Sequence, residues 1–158
     1  MCLKTDTAGP VINTNVKLSN YGVTWNTRFE QIYRDPGEVI ICTFSLSNLS
    51  FVSRTLSRRS HNVTIIAHDS YRKQAQMVKN WYPDVDIYVS PYSHAKMLLA
   101  EPATVYVSSE NLGHKKKSFD ASICMESEEI YQHYRAQVER LINNPETERI
   151  EAKCVTSR

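Results

Sequence analysis

The stretch SHAKMLLAEPATVYVSSEN, residues 93–111, contains two short apolar segments that are joined by the tripeptide EPA. Each segment has the length and composition of a strand, and the three-residue connection is short enough for a hairpin. His94 and Lys96 stand at the start of the first segment. Ser109 and Asn111 stand at the end of the second. Because side chains two apart on a strand share a face, the pattern predicts four polar side chains that converge at one place.

These four residue types suit chemistry on a phosphate. Lysine supplies a positive charge and asparagine an amide donor, and both fit phosphate oxygens. Histidine attacks or exchanges a proton near neutral pH. A phosphoryl group bound by Lys96, Ser109 and Asn111, with His94 beside the phosphorus, would form a coherent catalytic site. The simpler alternative is that His94 only caps a strand and that Lys96 is solvated.

The chain before this stretch alternates strands with helices. Runs rich in β-branched and aliphatic residues predict strands at 38–46, 62–69 and 84–91. Amphipathic segments between them predict helices at 47–60 and 70–83. This order favours right-handed crossovers and a largely parallel sheet that is covered by helices.

After residue 93 the rhythm changes. Three strand candidates, 94–101, 104–111 and 120–127, follow one another with no helix between them. A long amphipathic helix over 128–144 then closes the domain, with two glutamates at its positive N-terminal end.

Length and composition are those of one globular domain. We predict an N-terminal extension over residues 1–37, which packs on the domain or leads into it, a catalytic domain over 38–144 and a polar, loosely held tail over 145–158. The net charge of +2 is too small to indicate a nucleic-acid binder by itself. No secretory h-region or run of membrane length is present, so we expect a cytoplasmic protein without stable membrane association.

The four cysteines do not form a metal-binding or redox pattern. No CxxC pair occurs among them, and no cluster of carboxylates or histidines has metal-ligand spacing. Cys42 and Cys124 lie in apolar strand candidates, which predicts small buried thiols. The sequence therefore predicts neither a metal nor another cofactor.

The spacing around the histidine is similar to a known motif. From His94 it runs H-x-K, four residues, an acid at Glu101, and later S-x-N from Ser109. This resembles the HKD motif of the phospholipase D superfamily, H-x-K-x(4)-D followed by G-S-x-N. Glu101 stands where the family usually has Asp, and Ser108 stands where it usually has Gly, but neither change removes a reacting group. The resemblance covers about residues 38–142 and implies an α/β fold, an α-β-α sandwich with a mixed, largely parallel central sheet flanked by helices.

The resemblance also implies a mechanism. In the family, two HKD copies meet across a pseudo-twofold axis, and short single-motif members, such as small bacterial nucleases, obtain the second copy by homodimerisation. His94 would attack phosphorus to form a phosphohistidine, and His94 of the partner subunit would protonate the leaving oxygen and then activate water. No metal is needed. Asp120 is similar to the family's acidic residue at the last strand, which would orient the imidazole; alternatively, it is a turn residue that caps the strand.

A basic loop follows the second strand of the motif. Its residues are His114, Lys115, Lys116 and Lys117. Consecutive lysines beside a phosphate site favour a polyanion, and basic residues at helix ends are candidates to extend the patch: Arg58, Arg59, Arg72 and Lys73. They would otherwise be ordinary solvated charges.

The predicted function is a nuclease with little sequence selectivity that acts on nucleic acid, DNA ahead of RNA. The alternatives are a phospholipid phosphodiesterase and a non-catalytic DNA- or phosphate-binding module on the same fold.

Overall fold

The computed structural model describes residues 15–20, 33, 37–112 and 121–153. Within them the strands are β1 (Asn15–Asn20), β2 (Val39–Cys42), β3 (Val63–His68), β4 (Asp86–Ser90), β5 (Met97–Ala100), β6 (Thr104–Ser108), β7 (Ala121–Glu126) and β8 (Glu148–Arg149). The α-helices are α1 (Leu49–Leu56), α2 (Arg72–Trp81) and α3 (Glu128–Ile142), and a 3-10 turn spans Asp69–Tyr71.

The described strands form one mixed sheet in the order β1-β7-β6-β5-β2-β3-β4-β8. Only β2, β3 and β4 pair in parallel, and the other five pairings between described strands are antiparallel. The predicted α/β fold is confirmed, but the sheet is not largely parallel. The reason is local: β5 and β6 are joined by a tight hairpin, and helical crossovers of the kind that parallel strands need occur only between β2 and β4.

Helices cover the sheet on both sides. Helices α1 and α2 contribute Phe51, Val52 and Val78 to one apolar cluster, whereas α3 contributes Ile130 and Val138 to the other. Because β2 and β3 are buried on both faces, their sequences are continuous apolar runs without alternation. The α-β-α sandwich is therefore confirmed.

Side-chain caps fix where two helices begin. The Ser127 hydroxyl accepts a hydrogen bond from the Ile130 N–H at 3.3 Å at the start of α3, and Glu128 and Glu129 occupy its first turn. Their charges favour the positive end of the helix dipole. At the start of α1, the Asn48 side chain accepts from the Phe51 N–H at 3.1 Å.

Segments at both ends of the chain add strands to the sheet. Residues 15–20 pair with β7 as β1, and Glu148–Arg149 pair with β4 as β8. The expectation of a loosely held tail does not apply up to residue 153. Ile150 is buried and its N–H donates to the Ile87 carbonyl at 2.8 Å, so burial and a main-chain hydrogen bond hold a segment whose polar composition predicted neither.

Candidate active site

One edge of the sheet collects the polar residues that the sequence singles out. The carboxyl ends of β2, β3 and β4 lie here, together with the start of β5, the end of β6 and the start of β7. The arrangement follows from the topology, because β5 runs antiparallel to β2 and β6 runs antiparallel to β5. We call this row of strand ends the site edge, which is distinct from the outer strands of the sheet.

His94 and Lys96 lie in the loop just before β5, not on the strand as the sequence predicts. Strand β5 and its pairing with β6 begin at Met97, although the Lys96 carbonyl still accepts from the Ser108 N–H at 2.9 Å. The Lys96 ammonium donates to the His94 main-chain oxygen at 3.3 Å, and the His94 side chain is exposed. A loop position leaves the imidazole accessible to a substrate.

Phe44 organises these two side chains. It is half-buried, two residues beyond the end of β2. The Phe44 ring centroid lies 5.0 Å from that of His94, and the Lys96 ammonium lies 6.0 Å from it, within cation–π range. Phe44 could not be identified as a site residue from the sequence, in which it is simply an aromatic residue near the end of a buried strand.

Ser109 joins the end of β6 to the start of β7. Its N–H donates to the Ala121 carbonyl at 3.0 Å, and its hydroxyl oxygen accepts from the Ala121 N–H at 3.1 Å. Both contacts prolong the ladder between the two strands by one residue. Ser109 is therefore held at the site edge by one main-chain and one side-chain hydrogen bond, both to Ala121.

Asn111 carries a buried polar atom that lacks a partner. Its Oδ1 finds no hydrogen bond within residues 37–112 and 121–153. Such an atom is unusual, because buried side-chain polar groups are nearly always satisfied and an unpaired one costs about 1–3 kcal/mol. A 180° rotation of the amide would present the NH2 donor from the same position. Asn111 therefore has hydrogen-bonding capacity that a bound substrate could use.

Thr43 anchors the loop that carries Asn111. The buried Thr43 hydroxyl accepts from the Leu112 N–H at 3.1 Å and donates to the Ser45 carbonyl at 3.0 Å. The Ser93 hydroxyl, one residue before His94, makes longer contacts of 3.5 Å to the Thr43 carbonyl and 3.4 Å to the Ile66 carbonyl. Both loops of the motif are thus tied to the ends of β2 and β3.

The thiol closest in sequence to this anchor is unreactive. Burial raises the pKa of Cys42 to about 12, so the thiol stays protonated and is a poor nucleophile. Cys42 and Cys124 are both buried and reduced, as predicted. His94, by contrast, is exposed at this edge.

Comparisons of sequence find no relative: no protein-family model matches the chain, and no curated protein matches it. Solved structures do match. NucT from Helicobacter pylori is 15% identical, with a TM-score of 0.64 over 81% of this chain and 96% of that chain. Nuc from Salmonella typhimurium, a phospholipase D family member, is 9% identical, with a TM-score of 0.65 over 89% of this chain and 100% of that chain. The chain has the phospholipase D fold.

A third match with this fold is TrmBL2, an archaeal chromatin protein with a novel mode of DNA binding. It is 10% identical, with a TM-score of 0.54 over 85% of this chain and 54% of that chain. The resemblance drawn from the HKD motif is confirmed at the level of the fold. The matches to NucT and Nuc cover nearly the whole of those chains, whereas the match to TrmBL2 covers about half of it.

Some predicted site residues lie outside the described part of the chain: Asp120, His114, Lys115, Lys116 and Lys117. The residues that flank this segment, Leu112 and Ala121, both lie at the site edge.

Two of the arginines proposed to extend a basic patch are far from that neighbourhood. Arg58 and Arg59 follow α1, at the sheet edge opposite the site edge. Arg59 is only 4% exposed and donates to the Gly37 and His61 carbonyls, and Arg58 packs over the Tyr33 ring at 4.0 Å. The sequence correctly predicted that these arginines lie at a helix end, but that end of α1 is far from the site edge, so they do not extend a basic patch there.

The acid of the motif has a structural contact. The Glu101 carboxylate accepts from the Glu38 N–H at 2.9 Å, and the Glu101 N–H donates to the Glu38 carbonyl at 3.0 Å. These bonds lie at the end of β5 that is opposite His94. Glu101 thus holds the start of β2 and takes no place at the site edge.

Across residues 37–112 and 121–153, no three side chains of His, Cys, Asp or Glu lie close enough together to hold a metal ion. None of the described helices is both long and apolar enough to cross a bilayer.

Proposed function

We propose that this protein is a phosphodiesterase that hydrolyses nucleic acid without a metal, through a phosphohistidine intermediate. The observation that carries the proposal is the gathering of His94, Lys96, Ser109 and Asn111 at one edge of a phospholipase D fold, with the His94 imidazole exposed. These are the reacting residue types of the HKD motif, each at the motif's spacing.

The first step transfers the phosphoryl group to the protein. A ring nitrogen of His94 attacks phosphorus, the N–P bond forms and the P–O bond to one nucleoside breaks. The departing oxygen takes a proton from His94 of the partner subunit, so it leaves as a neutral hydroxyl. In the second step that same imidazole removes a proton from water, which attacks phosphorus and breaks the N–P bond. The protein returns to its starting state and a phosphate monoester is released.

The remaining residues stabilise the charge that develops on the phosphoryl oxygens. The Lys96 ammonium provides a positive charge. The Asn111 amide provides a hydrogen-bonding group whose oxygen is already desolvated in the free protein. Ser109 fixes the loop between them. Asp120 would accept from the second imidazole nitrogen and set the tautomer of His94.

The chain contains one HKD motif, so the proposal includes a homodimer whose two copies share one site. NucT and Nuc, which this chain overlaps almost completely, are likewise single phospholipase D units by length. We place the protein in the cytoplasm on the sequence features given above.

Nucleic acid is the proposed substrate because the segment that follows Asn111 contains Lys115, Lys116 and Lys117. A lysine cluster beside a phosphate site favours a polyanion over an isolated ester, and a dimer would present the cluster twice. Single- and double-stranded DNA are the substrates to try first.

The test is cleavage in excess EDTA. Wild-type protein, His94→Ala and the matched control His133→Ala are incubated with plasmid DNA and single-stranded oligonucleotides. His133 is an exposed histidine on α3, so its loss should leave activity unchanged. Loss of the nucleophile should lower the rate by about 1,000-fold or more. Equal rates for the wild type and folded His94→Ala would overturn the proposal.

A non-catalytic role is the second candidate, and the structural similarity to TrmBL2 favours it. It predicts that wild-type protein binds DNA and leaves it intact under every condition. A wild type that ignores nucleic acid but hydrolyses phosphatidylcholine vesicles would instead favour a phospholipid phosphodiesterase.

A further inference from the structure

A second histidine lies at the site edge. His68 is the last residue of β3, and its ring centroid lies 4.7 Å from that of Phe44. On the other side of Phe44 lies His94, with 5.0 Å between the two ring centroids.

The three rings follow the order of the strands. His94 precedes β5, Phe44 follows β2 and His68 ends β3, and these strands are neighbours in the order β5-β2-β3. The two centroid distances place the imidazoles at most about 10 Å apart across Phe44. At that separation a phosphate in contact with His94 reaches His68 only by lying directly between the two rings, whereas the next phosphate of a polynucleotide can contact His68 alone.

The contacts of His68 leave one ring nitrogen directed away from the protein's own polar groups. Its Nδ1 accepts from the Ser70 N–H at 3.2 Å and lies 2.9 Å from the Ser70 hydroxyl and 3.1 Å from an Asp69 carboxylate oxygen. Nε2 has no hydrogen-bonding partner among the described residues, and 22% of the side chain is exposed.

These contacts make Nε2 a donor. In the neutral ring the Ser70 N–H occupies the Nδ1 lone pair, so the ring hydrogen is on Nε2. In a protonated ring both nitrogens carry hydrogen. The group that His68 offers to a ligand is an N–H in either state, and its natural partner is an anionic oxygen.

We infer that His68 is a substrate-binding residue whose Nε2–H donates to the phosphate next to the one attacked by His94. The inference rests on the proposed function and adds to it a second phosphate-binding position, at His68, which a polynucleotide fills and a single diester does not. Phe44 is the spacer that sets the distance between the two phosphate positions. No bond changes at His68, so its contribution is to binding.

Two substitutions separate this role from the turn contact that His68 makes. His68→Asn keeps an acceptor for the Ser70 N–H, because asparagine is favoured at such cap positions, but removes the outer donor. His68→Gln places an amide N–H near the position of Nε2 and weakens the cap. A structural role would be preserved by Asn and a substrate role by Gln.

The measurement is steady-state kinetics on a single-stranded thymidine oligonucleotide and on bis(p-nitrophenyl) phosphate, which has one phosphodiester. We expect His68→Asn to raise KM for the oligonucleotide about ten-fold with kcat unchanged, since one hydrogen bond to an anion is lost in the ground state and the transition state alike. Hydrolysis of bis(p-nitrophenyl) phosphate should not change, and His68→Gln should recover part of the oligonucleotide affinity.

The outcomes are distinct. If the wild type cleaves both substrates and His68→Asn has the wild-type KM for the oligonucleotide, the inference is wrong and the proposed function stands. Equal losses on both substrates also overturn it, because His68 would then act on the attacked phosphate or on the fold. A wild type that cleaves neither substrate overturns the proposed function and the inference together.

Discussion

Asn111 illustrates how a single residue at the site edge trades stability for binding capacity. Its buried Oδ1 has no partner within the described residues, which is unfavourable in the free protein. A group kept in this state is already desolvated, and rotation of the amide is the one change it needs to donate to a phosphoryl oxygen. The Asn111 side chain should therefore increase activity and decrease the free energy of unfolding.

We predict that Asn111→Ala lowers kcat by about 100-fold, the usual effect of removing one preorganised hydrogen-bonding group from a transition state. The free energy of unfolding should stay the same or rise by about 1 kcal/mol, because an unsatisfied polar atom is removed. Urea denaturation and single-turnover cleavage test the two parts. A loss of stability above about 1 kcal/mol would show that the amide has a structural partner.

At the scale of elements, the motif depends on the way two loops are tied to the sheet. The Thr43 hydroxyl, at the end of β2, satisfies the Leu112 N–H in the loop after β6. The strands β2 and β6 are not neighbours, since β5 lies between them. One hydroxyl thus fixes the Asn111 loop relative to the strand that leads to Phe44.

We predict that Thr43→Val reduces the free energy of unfolding by about 1–3 kcal/mol, because it leaves the buried Leu112 N–H unpaired. Activity should fall about ten-fold or more, since small displacements of positioning groups are costly. The matched control is Thr64→Val on β3, which removes a hydroxyl at the opposite edge. If both variants behave alike in denaturation and cleavage assays, the anchor is not specific.

The elements themselves were largely predictable. Runs rich in β-branched and aliphatic residues identified β2, β3 and β4, and in β2 and β3 these runs are nearly continuous because both faces are buried. Amphipathic period and flanking residues identified α2 and α3. Strands β1 and β8 were missed because both lie at sheet edges, where pairing is decided by distant main-chain partners and leaves little trace in composition.

The site was predictable in its residues and less so in its surroundings. The spacing from His94 to Asn111 identified the motif, yet its side chains lie in the loops that flank β5 and β6, where an extended chain gives no sign that pairing has ended. Phe44, Thr43 and His68 come from other strands. Their proximity is a product of strand order, which local patterns do not encode.

For the whole molecule, the question is how a single motif completes a site. If two copies share one site, light scattering should give twice the 18.2 kDa of one chain. Co-refolding wild-type protein with excess His94→Ala should then suppress activity beyond simple dilution, because mixed dimers contain one imidazole where two are needed. Excess His133→Ala serves as the control. An active monomer, or suppression equal to dilution, would refute the shared site.

The sheet edge beyond β4 has a consequence for the behaviour of the protein at high concentration. Strand β8 is two residues long, and both side chains are charged: Arg149 pairs with Asp86 at 2.6 Å, and Glu148 pairs with Arg72. A short, charged edge offers a poor template for an incoming strand and disfavours end-to-end growth into fibrils. This strand therefore disfavours sheets that continue from one copy of the chain to the next. It does not affect association of two copies through their site edges.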